Sequence, residues 1–378
     1  MRRWIIALLA FASPLAAAHE IPKPAAIDAE VARVMRETGS KGLAIAVIDD
    51  GKPVHVAAHG VRNEAGDALQ VDTIMYGASL TKTVFAYTVL RQVDAGRFTL
   101  DTSIADLLPQ PLPSYASADI SNRYADWTAL DERWRRITPR IVLTHSTGFA
   151  NFGFLEPDEK LHFHFDPGTR YAYSGDGLNT LQFAMEKGRG IDVGVETAKV
   201  FKELNMPRTS LIWRADYAGN LADGWDENGK VEPHDERSKV RAAGSMDTTI
   251  GDFAKFAAAL VRGDGLMPES RAELAKPQLA ITTKSQFPSL QAELPPEERR
   301  KGLAAGLGVV VFDGPQGRGF FKGGHNDTTG NTLVCVERGK RCVAILSNDV
   351  RSEAGFPQLV RFVLGETGVP FDWEYGTK

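Results

Sequence analysis

Short apolar strands gather near both ends of this chain while helix-patterned segments fill its middle, and few architectures accommodate that order. Near the N-terminus, Leu43–Ile48 and Val54–Ala58 flank Asp49-Asp50-Gly51-Lys52, a turn signal between two apolar runs. Near the C-terminus, Leu307–Phe312, Gly319–Lys322, Thr332–Val336 and Cys342–Ser347 are short, apolar and punctuated by glycine. A sheet that takes strands from both termini requires the intervening chain to leave it and return. The expected fold class is therefore α+β, an antiparallel sheet flanked by helices with a mainly helical second subdomain. Residues 19–78 plus 250–378 are assigned to the sheet subdomain and 79–249 to the helical one.

Helical spacing supports that division. Ile27, Val31, Val34 and Met35 mark one face of Ala26–Thr38, and Leu359, Val360 and Val363 mark a last helix around Phe356–Leu364, both suited to covering a sheet. A long apolar helix runs from Ser79 through Val84, Phe85, Val89 and Leu90 and ends at Gly96. Thr248-Thr249 caps another, with Phe253, Phe256, Ala257 and Leu260 on one face. From Pro111 to about Trp134 the chain turns polar and aromatic without a clean period; it reads as a surface excursion, with a lid as one role.

The first 18 residues carry an address. Arg2 and Arg3 precede the apolar run Trp4–Phe11, and Ala16-Ala17-Ala18 offers a small-residue cleavage site before His19. The run is too short to span a bilayer comfortably, and Pro14 follows it. Residues 1–18 are expected to be a signal peptide, and the mature protein periplasmic or secreted without a stable membrane anchor. A net charge of −4 and the lack of a basic run argue against nucleic-acid partners and favour a small-molecule substrate. His162 and His164 have no accompanying ligand pattern, so neither metal nor cofactor is expected. The two cysteines, Cys335 and Cys342, face each other if their strands form a hairpin across Glu337–Lys340. Export makes a disulfide plausible there, and two reduced, packed thiols are the alternative.

Chemistry concentrates at Tyr76-Gly77-Ala78-Ser79-Leu80-Thr81-Lys82. Positions three apart share a helix face, so Ser79 and Lys82 point the same way in the first turn. A serine hydroxyl needs an adjacent base, and a desolvated lysine can serve; the helix N-terminus adds N–H groups for a developing oxyanion. An ordinary helix start would show the same spacing. His145, at the end of Ile141–Phe149, is expected to satisfy local backbone groups rather than act in catalysis.

Three spaced motifs make the chain resemble the serine β-lactamase and penicillin-binding superfamily, nearest its class C β-lactamase and esterase branch. Ser79-Leu80-Thr81-Lys82 matches S-x-x-K, Tyr173 after the Asp166-Pro167-Gly168 turn matches the tyrosine element, and Lys322-Gly323-Gly324 matches the K-T-G strand. The resemblance, from about Leu43 to Val363, implies Ser79 as nucleophile and Lys82 or Tyr173 as its base. It implies an oxyanion site at the backbone N–H groups of Ser79 and His325, and Lys322, Gly323, Gly324 and His325 as the substrate wall. Two departures stand out. The Y-x-N asparagine is replaced by Gly175, and the K-T-G threonine by Gly323; a shifted alignment gives the pocket cation to His325 instead of Lys322. The implied activity is acyl-enzyme hydrolysis of an ester, a D-amino-acid peptide or a β-lactam, with a small-molecule or peptidoglycan-type substrate. The rival class is a non-turnover sensor that binds penicillin or cell-wall fragments.

Overall fold

A computed structural model of the chain describes residues 19–115 and 124–376. The expected signal peptide, residues 1–18, lies outside the described residues, as does the centre of the polar excursion at 116–123. The chain enters through helix α1 (Pro24–Thr38) and the hairpin β1 (Gly42–Asp49) and β2 (Lys52–Gly60). Asp50 and Gly51 form its two-residue turn, both with positive φ as such a turn demands. The short strand β3 (Met75–Tyr76) then leads into helix α2 (Leu80–Asp94). Helices α3 (Ile104–Leu107), α4 (Pro139–Leu143), α5 (Gly175–Arg189) and α6 (Val193–Glu203) follow. Strand β4 (Gly224–Trp225) pairs with β5 (Val231–Glu232), and β6 (Asp247–Thr248) pairs back onto β3. The chain returns through α7 (Ile250–Arg262) and α8 (Pro268–Leu274). It then lays down β7 (Leu279–Ala280), β8 (Leu303–Ala305), β9 (Val310–Gly314), β10 (Gly317–His325), β11 (Gly330–Val336) and β12 (Arg341–Ser347), and closes with α9 (Phe356–Leu364) and α10 (Phe371–Tyr375).

Eight strands form one antiparallel sheet in the order β2-β1-β12-β11-β10-β9-β8-β7, so the N-terminal hairpin joins the C-terminal strands through β1 and β12. Alternation along β1 explains the layers. Leu43, Ile45 and Val47 face a core shared with Ile27, Val31, Leu359 and Val363 of α1 and α9. Ala44, Ala46 and Ile48 face the opposite core with Phe253 and Phe256 of α7, where two alanines leave room for the helix. With both faces covered, β11 is buried along its whole length. Helix α2 is buried on nearly all sides, as an all-round apolar helix must be.

The excursion differs from its surface reading. Trp127 and Trp134 are almost fully buried, and Trp127 stacks near Phe183 of α5 at 4.7 Å between ring centroids and donates a hydrogen bond to Thr180. The aromatic residues are core anchors: they fill the interior between the helices from a connecting segment. Strands β7 and β8 and helix α10 were not legible as elements: two or three residues show no period. Among the described residues, no helix is long and apolar enough to cross a membrane.

Cys335 and Cys342 occupy directly opposed positions of β11 and β12 and form a disulfide. It closes a short loop, for which chain-entropy reasoning gives about 2 to 3 kcal/mol of stabilisation. Replacing both cysteines by alanine is expected to lower the thermal midpoint measurably, read from melting curves of the two proteins. Equal melting curves for the two proteins would remove the bond from the stability account.

Candidate active site

Ser79 stands at the N-cap of α2, where a serine hydroxyl ordinarily accepts a hydrogen bond from the first turn. Here it makes no such bond. Its Oγ lies 2.9 Å from Lys82 Nζ and 2.8 Å from the Tyr173 hydroxyl. The residue before it, Ala78, has φ of 45°, a left-handed conformation that costs a non-glycine residue about 1 kcal/mol. The turn is held by Gly77 N–H donating to Met246 O at 2.8 Å and by Thr81 Oγ1 donating to Ala78 O at 2.6 Å. This differs from an ordinary helix start: strain and a hydroxyl bonded to Lys82 and Tyr173 replace a cap.

Lys82 is 1% exposed, and its Nζ also donates to Ala243 O. Burial pushes its pKa well below the ordinary lysine range, and the neighbouring Lys322 charge lowers it further. Tyr173 moves the other way. Burial raises its phenol above the ordinary tyrosine range, although the bond to Ser79 opposes this. At neutral pH the pair is therefore a lysine that gives up its proton readily and a tyrosine that keeps its own.

Tyr173 directly precedes α5, whose cap residue Ser174 accepts from Gly177 N–H at 3.0 Å. His145 fixes the approach. Ser174 N–H donates to His145 Nδ1 at 3.1 Å, Ala172 N–H donates to His145 O at 2.7 Å, and the imidazole stacks on the Tyr173 ring at 4.4 Å. His145 serves a backbone group as expected, but that group lies 29 residues along the chain rather than locally. Burial, with the charges of Lys82 and Lys322, keeps this histidine neutral.

Strand β10 supplies the facing wall. Gly324 is the point of closest approach: a Cβ there would lie 2.9 Å from Leu80 N and 3.0 Å from Gly77 O, so glycine lets the strand lie against the start of α2. His325 follows on the same strand and lines the cavity with Ser79. Lys322 is 3% exposed; its Nζ donates to Gly323 O and sits 5.1 Å from the Tyr173 ring centroid, with Lys82 Nζ at 4.9 Å from the same ring. Burial lowers the Lys322 pKa, and Glu374 partly restores it. His325 is the more open cation. Burial alone would lower its pKa, but its 3.0 Å contact with Glu353 and that carboxylate's charge raise it overall.

These side chains converge on one cavity of about 950 Å³, lined by Ser79, Lys82, Tyr173, Lys322, Gly323 and His325. All the catalytic and wall candidates named from sequence thus meet except Gly324, which shapes the wall from behind. Among the further lining residues that escaped the sequence are Asn151, Phe152 and Glu374. A Cβ on Gly175 would lie 2.5 Å from Phe152 Cε1, and Gly175 N–H donates to Asn151 Oδ1 at 2.9 Å. The space left by the missing Y-x-N side chain is filled from the preceding loop, which brings an amide of its own. The Gly175 departure was a signal that something else must stand there, but a sequence does not say what. Among the described residues, no group of three or more His, Cys, Asp or Glu could hold a metal ion.

Comparison with known proteins places the chain in a family. Penicillin-binding protein 4 of Amycolatopsis lactamdurans is 34% identical over 110 residues, 29% of this chain and 25% of that one. The lovastatin esterase of Penicillium rubens is 27% identical over 144 residues, 32% of this chain and 35% of that one. The aligned stretches thus span about a quarter to a third of these relatives. Solved structures share the fold over most of the chain. A penicillin-binding protein homologue from Pyrococcus abyssi matches with TM-score 0.68 and 19% identity, over 86% of this chain and 74% of that one. A D-alanine carboxypeptidase from Burkholderia cenocepacia matches with TM-score 0.69 and 16% identity, over 90% of this chain and 97% of that one. The fold is β-lactamase-like, and the Beta-lactamase family model matches residues 27–364. With the serine, lysine and tyrosine in mutual contact and the family model spanning nearly the whole chain, this protein belongs to the Beta-lactamase family.

Proposed function

We propose that this protein is an exported serine hydrolase that acts through an acyl-enzyme on Ser79. The observation that carries the reading is the position of Ser79 Oγ between Lys82 Nζ and the Tyr173 hydroxyl in an open cavity. Neutral Lys82 takes the serine proton as Oγ attacks the substrate carbonyl. The backbone N–H groups of Ser79 and His325 hold the developing oxyanion. Tyr173, kept protonated by burial, donates to the leaving group and is reprotonated from Lys82. Water, activated by the same pair, then releases the acyl group.

The substrate classes are esters, D-amino-acid peptides and β-lactams, all of which present a carbonyl to this apparatus. Relatives described as a penicillin-binding protein and as an esterase span the same range. A panel of 4-nitrophenyl esters, a D-alanyl-D-alanine peptide and a penicillin tests the reading. Many turnovers per enzyme are expected on at least one; a single stoichiometric burst on those that react, and no turnover of any, would establish the sensor alternative instead. Export predicts that protein recovered from the extracytoplasmic fraction begins at His19.

The role given to Tyr173 makes a separate prediction. Tyr173→Phe is expected to slow hydrolysis of alkyl esters, whose leaving group needs a proton, by about 10² to 10⁴. The loss on 4-nitrophenyl esters, whose leaving group departs unprotonated, is expected to be at least about tenfold smaller. Equal losses on both would remove the proton-donor role.

A further inference from the structure

The helix α10 was absent from every motif, yet it puts a carboxylate into the catalytic cavity. Glu374 lines that cavity and is 5% exposed. Its Oε1 lies 2.0 Å from where a Cβ on Gly323 would stand, so it occupies the space a side chain at that strand position would need. Its Oε2 finds no hydrogen-bond donor among the described residues. The helix is anchored on both sides of it: Trp373 Nε1 donates to Thr283 Oγ1 at 3.3 Å, and the Tyr375 hydroxyl donates to Asn331 O at 2.7 Å. A buried carboxylate oxygen without a donor is costly unless a ligand supplies one.

The charge of Glu374 reaches the working groups, acting on Lys82, Lys322 and His325. It makes no ion pair within 4 Å with Lys322, whose ammonium turns to Gly323 O. The Lys322 side of the cavity therefore presents a compensated charge and an unpaired acceptor, where K-T-G relatives would present a lysine and a threonine hydroxyl.

Resting on the acyl-enzyme reading above, we infer that Glu374 is a specificity-determining residue that accepts an N–H group of the substrate, amide or ammonium, and rejects substrates carrying a carboxylate at that position. Like charges placed together in a desolvated site suppress the wrong partner, and an unpaired acceptor favours the right one. Gly323 and Glu374 act as one unit: any larger side chain on the strand would expel the carboxylate.

A matched pair of esters tests this, identical in the acyl part and differing in the leaving group, 3-hydroxybenzamide against 3-hydroxybenzoate. Wild type is expected to prefer the carboxamide ester in kcat/KM by about tenfold or more. Glu374→Gln is expected to erase that preference by raising activity on the carboxylate ester, while Glu374→Asp restores part of it. A merely structural role would lower activity on both esters together. If Glu374→Gln does not fold, the wild-type ratio still decides, since equal rates or a preference for the carboxylate ester overturns the inference. A wild type that turns over neither ester nor any other substrate defeats the acyl-enzyme reading itself, whereas turnover without the preference defeats only the role of Glu374.

Discussion

Ser79→Ala is expected to remove hydrolysis of every substrate by a factor on the order of 10⁶, the scale on which a serine hydrolase loses rate with its nucleophile. The same substitution is expected to leave the fold intact. A serine that caps a helix contributes about 1 kcal/mol, but the Ser79 hydroxyl makes no capping bond, so alanine forfeits no such contribution. Alanine does remove the acceptor of the Lys82 and Tyr173 hydrogen bonds, so the expected stability loss is about 1 to 2 kcal/mol, read from denaturant midpoints at constant m-value. Two measurements thus separate a nucleophile from a structural serine. Activity that survives at more than about a hundredth of wild type would assign the chemistry elsewhere.

Lys82→Met is expected to cost about 10² to 10⁴ in kcat/KM and, unusually for a buried position, to raise stability. The reason lies in burial. Lys82 is enclosed by Tyr173, Ala243 and the first turn of α2, with Lys322, Glu374 and Asp176 acting through their charges. Folding strips Lys82 of a proton that the unfolded chain keeps at pH 7, a cost that burial and the Lys322 charge impose, while methionine fills a similar volume without it. The pH dependence carries the sign. Lys82 acts as base when neutral, so wild-type kcat/KM is expected to rise with pH through one ionisation below the ordinary lysine range. It then stays level, because burial holds the Tyr173 proton beyond the ordinary tyrosine range. Lys82→Met should lose the rising limb and Tyr173→Phe should keep it. A profile whose limb disappears with Tyr173→Phe and persists in Lys82→Met would make the phenol the base.

The sequence carried the parts of this site that sit on long, periodic elements. Ser79 and Lys82 share a face of α2 because the helix fixes their spacing, and Gly324 follows from a strand that must lie close to that helix. Cys335 and Cys342 were opposable once the hairpin was read. Other features depend on tertiary placement. Asn151 and Phe152 fill the place beside Gly175 from a loop 24 residues earlier in the chain, and no local pattern encodes that meeting. Glu374 lies on a five-residue helix beyond the last motif, too short to show a period, and its position opposite Gly323 exists only in the folded sheet. Trp127 and Trp134 looked like surface aromatics because the segment around them has no regular structure; they are core because the helical subdomain needs their volume. The balance between Lys82 and Tyr173 was also closed to the sequence, since burial decides which group holds a proton and burial is a property of the fold.

Covalent chemistry at Ser79 is the claim on which the rest depends, and rapid acid quench followed by intact mass and peptide mapping tests it most directly. Wild-type protein mixed with excess activated ester should gain the mass of one acyl group, mapped to the peptide that contains Ser79, and Ser79→Ala should gain none. An adduct that persists on Ser79→Ala, or one that maps to another residue in the wild type, would contradict the account.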